Sequence, residues 1–250
     1  MRLRLALAAL GGAALLPAVW KIARAMPAFG DPTGPYGPSV NRLGPPLRHV
    51  ANMVSAVNFD FRGLDTLGEE IMLVAAVTGT VLLLRGIRGE DLSARPATAG
   101  RPLAQRAEST VLISRLLGPL VLLFGFYMAM HGMTTPGGGF QGGVTFASGL
   151  LLLYIGEGYR AWRKLLRGRV LAAVEGGGAL LFALIGFLPM IEGKAYMENV
   201  LPLGTIREVF SGGLMLVENG GVGLAVAAGF SMLFLEFLEE TRALRGEKPA

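Results

Sequence analysis

The 250-residue chain has no cysteine and only two histidines. The first absence excludes disulfide scaffolds, thiolate metal sites and cysteine nucleophiles. The second leaves little room for a histidine-built metal centre. Charge is scarce as well. Asp, Glu, Lys and Arg make up 16% of the chain, against roughly 25% in soluble domains, which argues against a soluble globular enzyme. What is abundant points elsewhere. Hydrophobic residues make up 52% and glycine occurs 37 times, and the mean hydropathy is +0.52. The apolar content excludes disorder, and the composition is that of an integral membrane protein. The net charge of +5 says little alone, because in such proteins the location of Lys and Arg matters more than their sum.

A helix needs about 20 mostly apolar residues to cross roughly 30 Å of hydrocarbon. Six segments approach that requirement, and no period-2 alternation competes with them. The first is Leu5–Trp20, flanked by Arg2, Arg4, Lys21 and Arg24. It also has the outline of a signal peptide, although basic residues directly after the apolar run argue against cleavage. The second uncharged run, Ile71–Leu84, is short, so a span must extend back through Glu70 and Glu69 to about Leu64. The others are expected at about Val111–Met130, Phe140–Ile155, Ala172–Ile191 and Ser211–Leu235. The architecture expected is an all-α integral membrane protein with six transmembrane helices.

Basic residues set the orientation. Arg85, Arg88, Arg95, Arg101, Arg106 and Arg115 follow the second span, and Arg160, Arg163, Lys164, Arg167 and Arg169 follow the fourth. Arg2 and Arg4 begin the chain, and Arg242, Arg245 and Lys248 end it. With six spans all of these fall on one side, which places both termini in the cytoplasm. Residues 25–63 then form a long outer linker rich in Pro and Gly, whose apolar second half, His49–Phe61, suits a short interfacial helix. The polar stretch Gly86–Gln105 is the clearest boundary. It divides the chain into two modules, 1–90 with two helices and 107–240 with four.

The sharpest local feature is HGMTTPGGGFQGG, from His131 to Gly143. Three glycines after a proline are not ordinary helix, and no Gly-Lys-Ser/Thr makes this a phosphate loop. Two readings stand. Gly139 and Gly143 fit close helix packing through small residues, or the segment is a broken helix that docks a partner or lines a hydrated path. His131 is a lone imidazole at a helix end, suited to a hydrogen-bonded structural role or to proton relay.

Carboxylates at membrane depth are the other feature. Glu69 is expected roughly 7 Å inside the second span and Glu218 roughly 9–10 Å inside the sixth. An ionised group there costs several kcal/mol unless paired or hydrated, and by default marks a proton or cation path. Glu70, adjacent to Glu69, cannot share its helix face and is expected to reach towards the headgroups. Glu175 lies near the inner end of the fifth span, where Arg115 offers a plain structural ion pair. Glu157, Glu236, Glu239 and Glu240 read as solvated or paired with neighbouring Arg. Trp20, Tyr127, Tyr154 and Trp162 read as interface anchors.

The stretch HGMTTPGGGFQGGVTFASGLLLL resembles the signature of the B subunit of Mrp/Mnh-type multisubunit sodium/proton antiporters, over residues of about 107–240. The stretch NMVSAVNFDFRGLDTLGEE resembles the extreme C-terminal part of the large A subunit, which in related membrane-bound hydrogenases is a separate small subunit. The resemblance thus implies a natural fusion of the two, while the linker Asp31–Pro46 departs from the pattern. It implies an ion-path role for Glu69 and a role in function or assembly for Pro136 and Phe140. It also implies work inside a complex with large antiporter-like subunits bearing intramembrane Lys. The expected ion or proton path is Glu69, Glu218, Asp65, Glu175 and His131. The expected interface motif is Pro136, Gly137, Gly138, Gly139, Phe140, Gln141, Gly142 and Gly143. No catalytic residue, metal or cofactor is expected. The partners expected are the other subunits, membrane lipid, sodium and protons, with no nucleic acid, in a plasma (inner) membrane. The alternatives are a membrane-arm subunit of an ion-pumping hydrogenase or related respiratory complex, and a purely structural adaptor.

Overall fold

Long apolar stretches give long helices even where glycine and proline fall inside them, as at Pro119, because apolar surroundings leave the backbone no partner but itself, and the computed structural model is all-helical. It describes residues 2–26, 30, 34–87, 107–158, 162 and 166–243, among which there is no β-strand. The chain divides into two units, Met1–Ser39 and Val40–Ala250. In the first unit lies α1 (Arg2–Ala25), with Pro17 inside it. This helix coincides with the first expected span, and its side chains before Leu10 lie outside the described residues.

The expected outer linker is more ordered than its Pro and Gly content suggests. Tyr36–Arg48 is helical (α2) and keeps Pro45 and Pro46 in its last turns. Pro38 falls in the first turn, where a missing N–H costs nothing. The expected short helix over His49–Phe61 is two pieces, α3 (Met53–Ala56) and a π-helical turn at Val57–Phe61. Asn52 caps α3 by accepting from the Val54 N–H.

Five helices are long and apolar enough to cross a membrane among the described residues. They are α4 (Gly63–Ile87), α5 (Glu108–Met130), α6 (Gly139–Glu157), α7 (Gly168–Ile185) with its continuation, and α8 (Leu214–Ala243). α4 and α6 run past both expected ends, α5 starts earlier and ends as expected at Met130, and α8 starts three residues late at Leu214 but runs on to Ala243, whereas α7 starts early, stops at Ile185 and passes into a 3-10 turn at Leu188–Glu192. Residues 88–106, which hold most of the expected boundary, lie outside the described residues, as do Arg160, Arg163, Lys164, Arg245 and Lys248.

The hub is α8, 61% buried over its apolar stretch against 11% for α4. It packs against α4, α6 and α7, while α5 packs mainly on α6. The apolar core gathers Phe59, Met133, Phe182, Met215, Val222 and Val226 at the end of the bundle that carries the loop between α5 and α6, called the loop end below. A smaller cluster, Trp162, Leu166 and Leu235, closes the opposite end. Trp162 is thus a core residue, 1% exposed and edge-on to Tyr154 at 5.5 Å, rather than an interface anchor. Its indole has more area to bury than any other side chain there.

Candidate functional site

The loop from His131 to Gly138 is held by side chains distant in sequence. Asn52 Nδ2 donates to the carbonyls of Gly132 at 2.8 Å and Thr135 at 3.0 Å, and Ser55 Oγ donates to Gly132 at 2.6 Å. The backbone N–H groups of Ala51 and Asn52 both reach the Met133 carbonyl. Gly137 and Gly138 adopt φ of +140° and +143°, open to glycine and strained for other residues. Gly138 has no side chain to cap α6, so the cap comes from another helix. Asn219 of α8 accepts from the Gly139 N–H at 2.6 Å and donates to the Ala129 carbonyl at 2.7 Å.

Beyond the loop, α6 wedges between two helices. A Cβ at Gly139 would run into the Asn219 carbonyl oxygen, and one at Gly143 would lie 2.9 Å from the Gly223 carbonyl oxygen, both on α8. A Cβ at Gly142 would lie 2.7 Å from the Ala129 nitrogen of α5. Of the two readings of the motif, close backbone packing is therefore present. Pro136, Phe140 and Gln141 remain exposed, with Phe140 edge-on to Phe230 at 6.4 Å.

The loop also meets the carboxylates. A cavity of about 250 Å³ is lined by Glu69, Glu70 and Thr66 of α4, by Asn58 and Phe59 of the π turn, and by Gly137–Gln141. The two sequence motifs thus share one chamber. Within it the roles of the paired glutamates reverse the expectation. Glu69 is exposed, whereas Glu70 is 3% exposed and turned inward. The reason is register: Glu70 lies on the helix face shared with Thr66, Leu73 and Val77, the face packed on α8. Glu70 Oε2 has no hydrogen-bond partner among the described residues.

Glu218 is fully buried and neither of its oxygens has a partner among the described residues. It lies near Asp60, whose carboxylate is held by Arg48 at 2.7 Å. Asn199, which accepts from the Leu214 N–H at the start of α8, also approaches Asp60. Burial, then the neighbouring Glu218, push the Tyr196 phenol above its ordinary value, and its hydroxyl donates to the Ala183 carbonyl.

Glu175 is 2% exposed and faces Gly229 of α8, where an added Cβ would lie 2.8 Å from its Oε1. The expected Arg115–Glu175 pair does not form. Arg115 reaches Glu157 instead, at 2.5 Å, because both lie on the outer faces of the α5–α6 hairpin. Glu236 is paired as expected, with Arg85 at 2.5 Å, but buried. Asp65 is exposed and tied to Arg62, outside the chamber. His131 stacks on Tyr127 at 4.0 Å and shares a ring nitrogen with the Tyr127 carbonyl at 3.1 Å, a structural setting. Sequence reasoning missed Asp60, Asn52, Asn199 and Asn219 as site-builders. Asn52 and Asp60 stand in the quoted stretch NMVSAVNFDFRGLDTLGEE without being singled out, and Asn219 stands in a polar doublet with Glu218 inside an otherwise apolar helix. No three or more His, Asp or Glu side chains converge as a metal site among the described residues.

Comparison with known proteins places this arrangement. Residues 110–232 match the family described as a domain related to the MnhB subunit of the Na+/H+ antiporter. An uncharacterized protein of Methanocaldococcus jannaschii, MJ1307, is 33% identical over 211 residues, spanning 78% of this chain and 79% of that protein. The probable K(+)/H(+) antiporter A/B subunit of Rhizobium meliloti is 28% identical over 80% of this chain, which covers only 22% of that much longer protein. Among solved structures, a chain of the membrane-bound sulfane sulfur reductase, an archaeal respiratory membrane complex, superposes with a TM-score of 0.71 at 26% identity, over 92% of this chain and 97% of that one. Together with the apolar helices, these relatives identify a multi-pass membrane protein. The chain belongs to one family with the Methanocaldococcus protein and carries, at residues 110–232, a domain of the MnhB-related family.

Proposed function

We propose that the chain is a membrane subunit of a multisubunit cation/proton antiporter, where it contributes to the ion translocation path and to subunit interfaces. The observation that carries this reading is the chamber in which Glu69 and Glu70 face the Gly137–Gln141 loop. Carboxylates in an apolar helix are costly and are retained where an ion or proton passes. Glu69, exposed on α4, is the group that a cation from a neighbouring polypeptide reaches, such as an intramembrane Lys of a large antiporter-like subunit. Glu70, behind it, and Glu218 pass protons inward. Glu175 lies further along the same route, whereas Asp65 and His131 serve the structure around it. Exposed Pro136, Phe140 and Gln141 form the docking rim.

The division into a module like the end of the large A subunit at 1–90 and a B-subunit-like module at 107–240 is supported by the Rhizobium relative. Its name joins A and B, and its match extends well beyond the MnhB-related region. Six spans, with α1 as the first, and both termini in the cytoplasm follow from the same division and from the distribution of Arg and Lys. The relatives' names differ between sodium and potassium, so the transported class is a monovalent cation.

The test is cation-dependent dissipation of a proton gradient in everted vesicles holding the whole complex, with assembly followed on native gels. Glu69→Gln and Glu70→Gln are expected to assemble and to drop to the level of vesicles without the complex. Normal transport in both variants overturns the ion-path reading and leaves a structural adaptor. A second reading is favoured by the superposition on a respiratory complex: the same module acts in the membrane arm of an ion-pumping hydrogenase or related machine. Flanking genes for nickel–iron and iron–sulfur subunits would decide for it.

A further inference from the structure

Three glutamates on three helices, Glu218 (α8), Glu70 (α4) and Glu175 (α7), share one condition. Each is at most 3% exposed, and each has at least one carboxyl oxygen without a hydrogen-bond partner among the described residues. Their heights follow from contacts. Helices α4 and α8 run side by side in parallel. Val222 lines the chamber with Glu70, Val77 and the Glu175 carboxyl both approach Gly229, and Arg85 reaches Glu236. At 1.5 Å per residue along α8, Glu70 lies roughly 6 Å below Glu218, Glu175 roughly 10 Å below Glu70, and Glu236 roughly 10 Å lower again. The column is roughly 27 Å tall by the same rise, close to the ~30 Å of a hydrocarbon core. At the loop end stands the Arg48–Asp60 pair and at the opposite end the Arg85–Glu236 pair.

A hard cation is held by several oxygens at once. Here each carboxyl stands apart from the next, and the groups around Glu175 include Val77 and the bare backbone of Gly229. No group of three or more Asp, Glu or His side chains converges around any of them among the described residues. A carboxylate in such a place carries the full cost of an unpaired buried charge, whereas the neutral acid does not.

We propose that Glu218, Glu70 and Glu175 carry protons and not metal cations, and form a proton column within this single polypeptide closed at its ends by the Arg48–Asp60 and Arg85–Glu236 pairs. Each transfer moves one proton: the acid ahead releases its proton through intervening water, becomes a carboxylate, and is reprotonated from the acid behind it. No other bond is made or broken. The groups facing the column are Glu69, Asp60, Arg48 and Tyr196 at the loop end and Arg85 and Glu236 at the other. The proposal rests on the reading as an antiporter component and deepens it, since the metal cation then takes a different route.

Infrared spectroscopy of the full chain in lipid nanodiscs at neutral pH tests it. Bands of protonated carboxylic acids are expected, one lost in each of Glu218→Gln, Glu70→Gln and Glu175→Gln, and unchanged when sodium or potassium replaces a bulky organic cation. Conversion of these bands to carboxylate bands by sodium or potassium overturns the proposal, and so does their absence. The cation exchange uses the unmodified chain, so a variant that fails to fold does not remove the test. In vesicles holding the whole complex, Glu175→Gln and Glu218→Gln are expected to abolish proton uptake. If they transport normally while Glu70→Gln does not, the column fails and the reading as an antiporter component stands.

Discussion

Helices α5 and α6 meet through glycine backbones, and α4, α7 and α8 meet around carboxyl groups. In the first pair an added methyl at Gly125, Gly142 or Gly149 would lie 2.6–2.9 Å from the facing helix, and no acid is buried among its described residues. In the second group three glutamates are buried, each with at least one carboxyl oxygen lacking a hydrogen-bond partner among the described residues. Close backbone packing and buried acids therefore occupy different elements of one bundle, with α8 belonging to both. Its Gly223 and Asn219 face α6, while Gly229 faces Glu175 and Glu218 lies near Asp60.

The largest effect that would break this contrast is at Gly139. Gly139→Val forces the side chain into the α8 backbone and is expected to cost about 3 kcal/mol or more, seen as loss of the monodisperse protein in detergent. Gly177→Ala on α7, where nothing lies within 4 Å of an added Cβ, is the control and should leave stability unchanged or raise it by up to ~1 kcal/mol. Next comes Asn219→Ala, which strands the buried Gly139 N–H. A loss of about 2–3 kcal/mol is expected, read as a lower thermal midpoint. Transport in that variant should fall only as far as folded protein is lost. The smallest effect is at Arg115. Its pair with Glu157 is exposed, and Arg115→Ala should leave both melting and transport unchanged.

Much of the bundle was legible because a transmembrane helix is written in one dimension: a long apolar run has few alternatives. The five spans after α1 lie where hydropathy places them, extended at their ends by polar residues such as Glu108 and Glu157 that hydropathy does not count. The glycine motif was legible as close packing for the same local reason. Partner choice was not. Which of Glu69 and Glu70 turns inward depends on the face that α4 gives to α8, and a nearly uniform apolar helix does not encode that face in its pattern. Arg115 and Glu175 looked like a pair because both were expected near the same membrane surface. Their azimuth around the helices, set by the α5–α6 glycine contact, separates them. Helix α2 was hidden by its prolines, which fall in the first and last turns where they do least harm.

The glycine contacts have a mechanical consequence. Where side chains interdigitate, a helix can shift by changing rotamers. Where backbone touches backbone, as along α6 between Gly139 and Gly143, there are few rotamers to change, and the contact resists both sliding and rotation. A working cycle that needs motion must find its compliance outside this wedge. Among the described spans α4 is the least enclosed and carries Glu70. Its contacts with α8 run through side chains, Val77 against Gly229 and Arg85 to Glu236, and they stand apart from the glycine seam of α6.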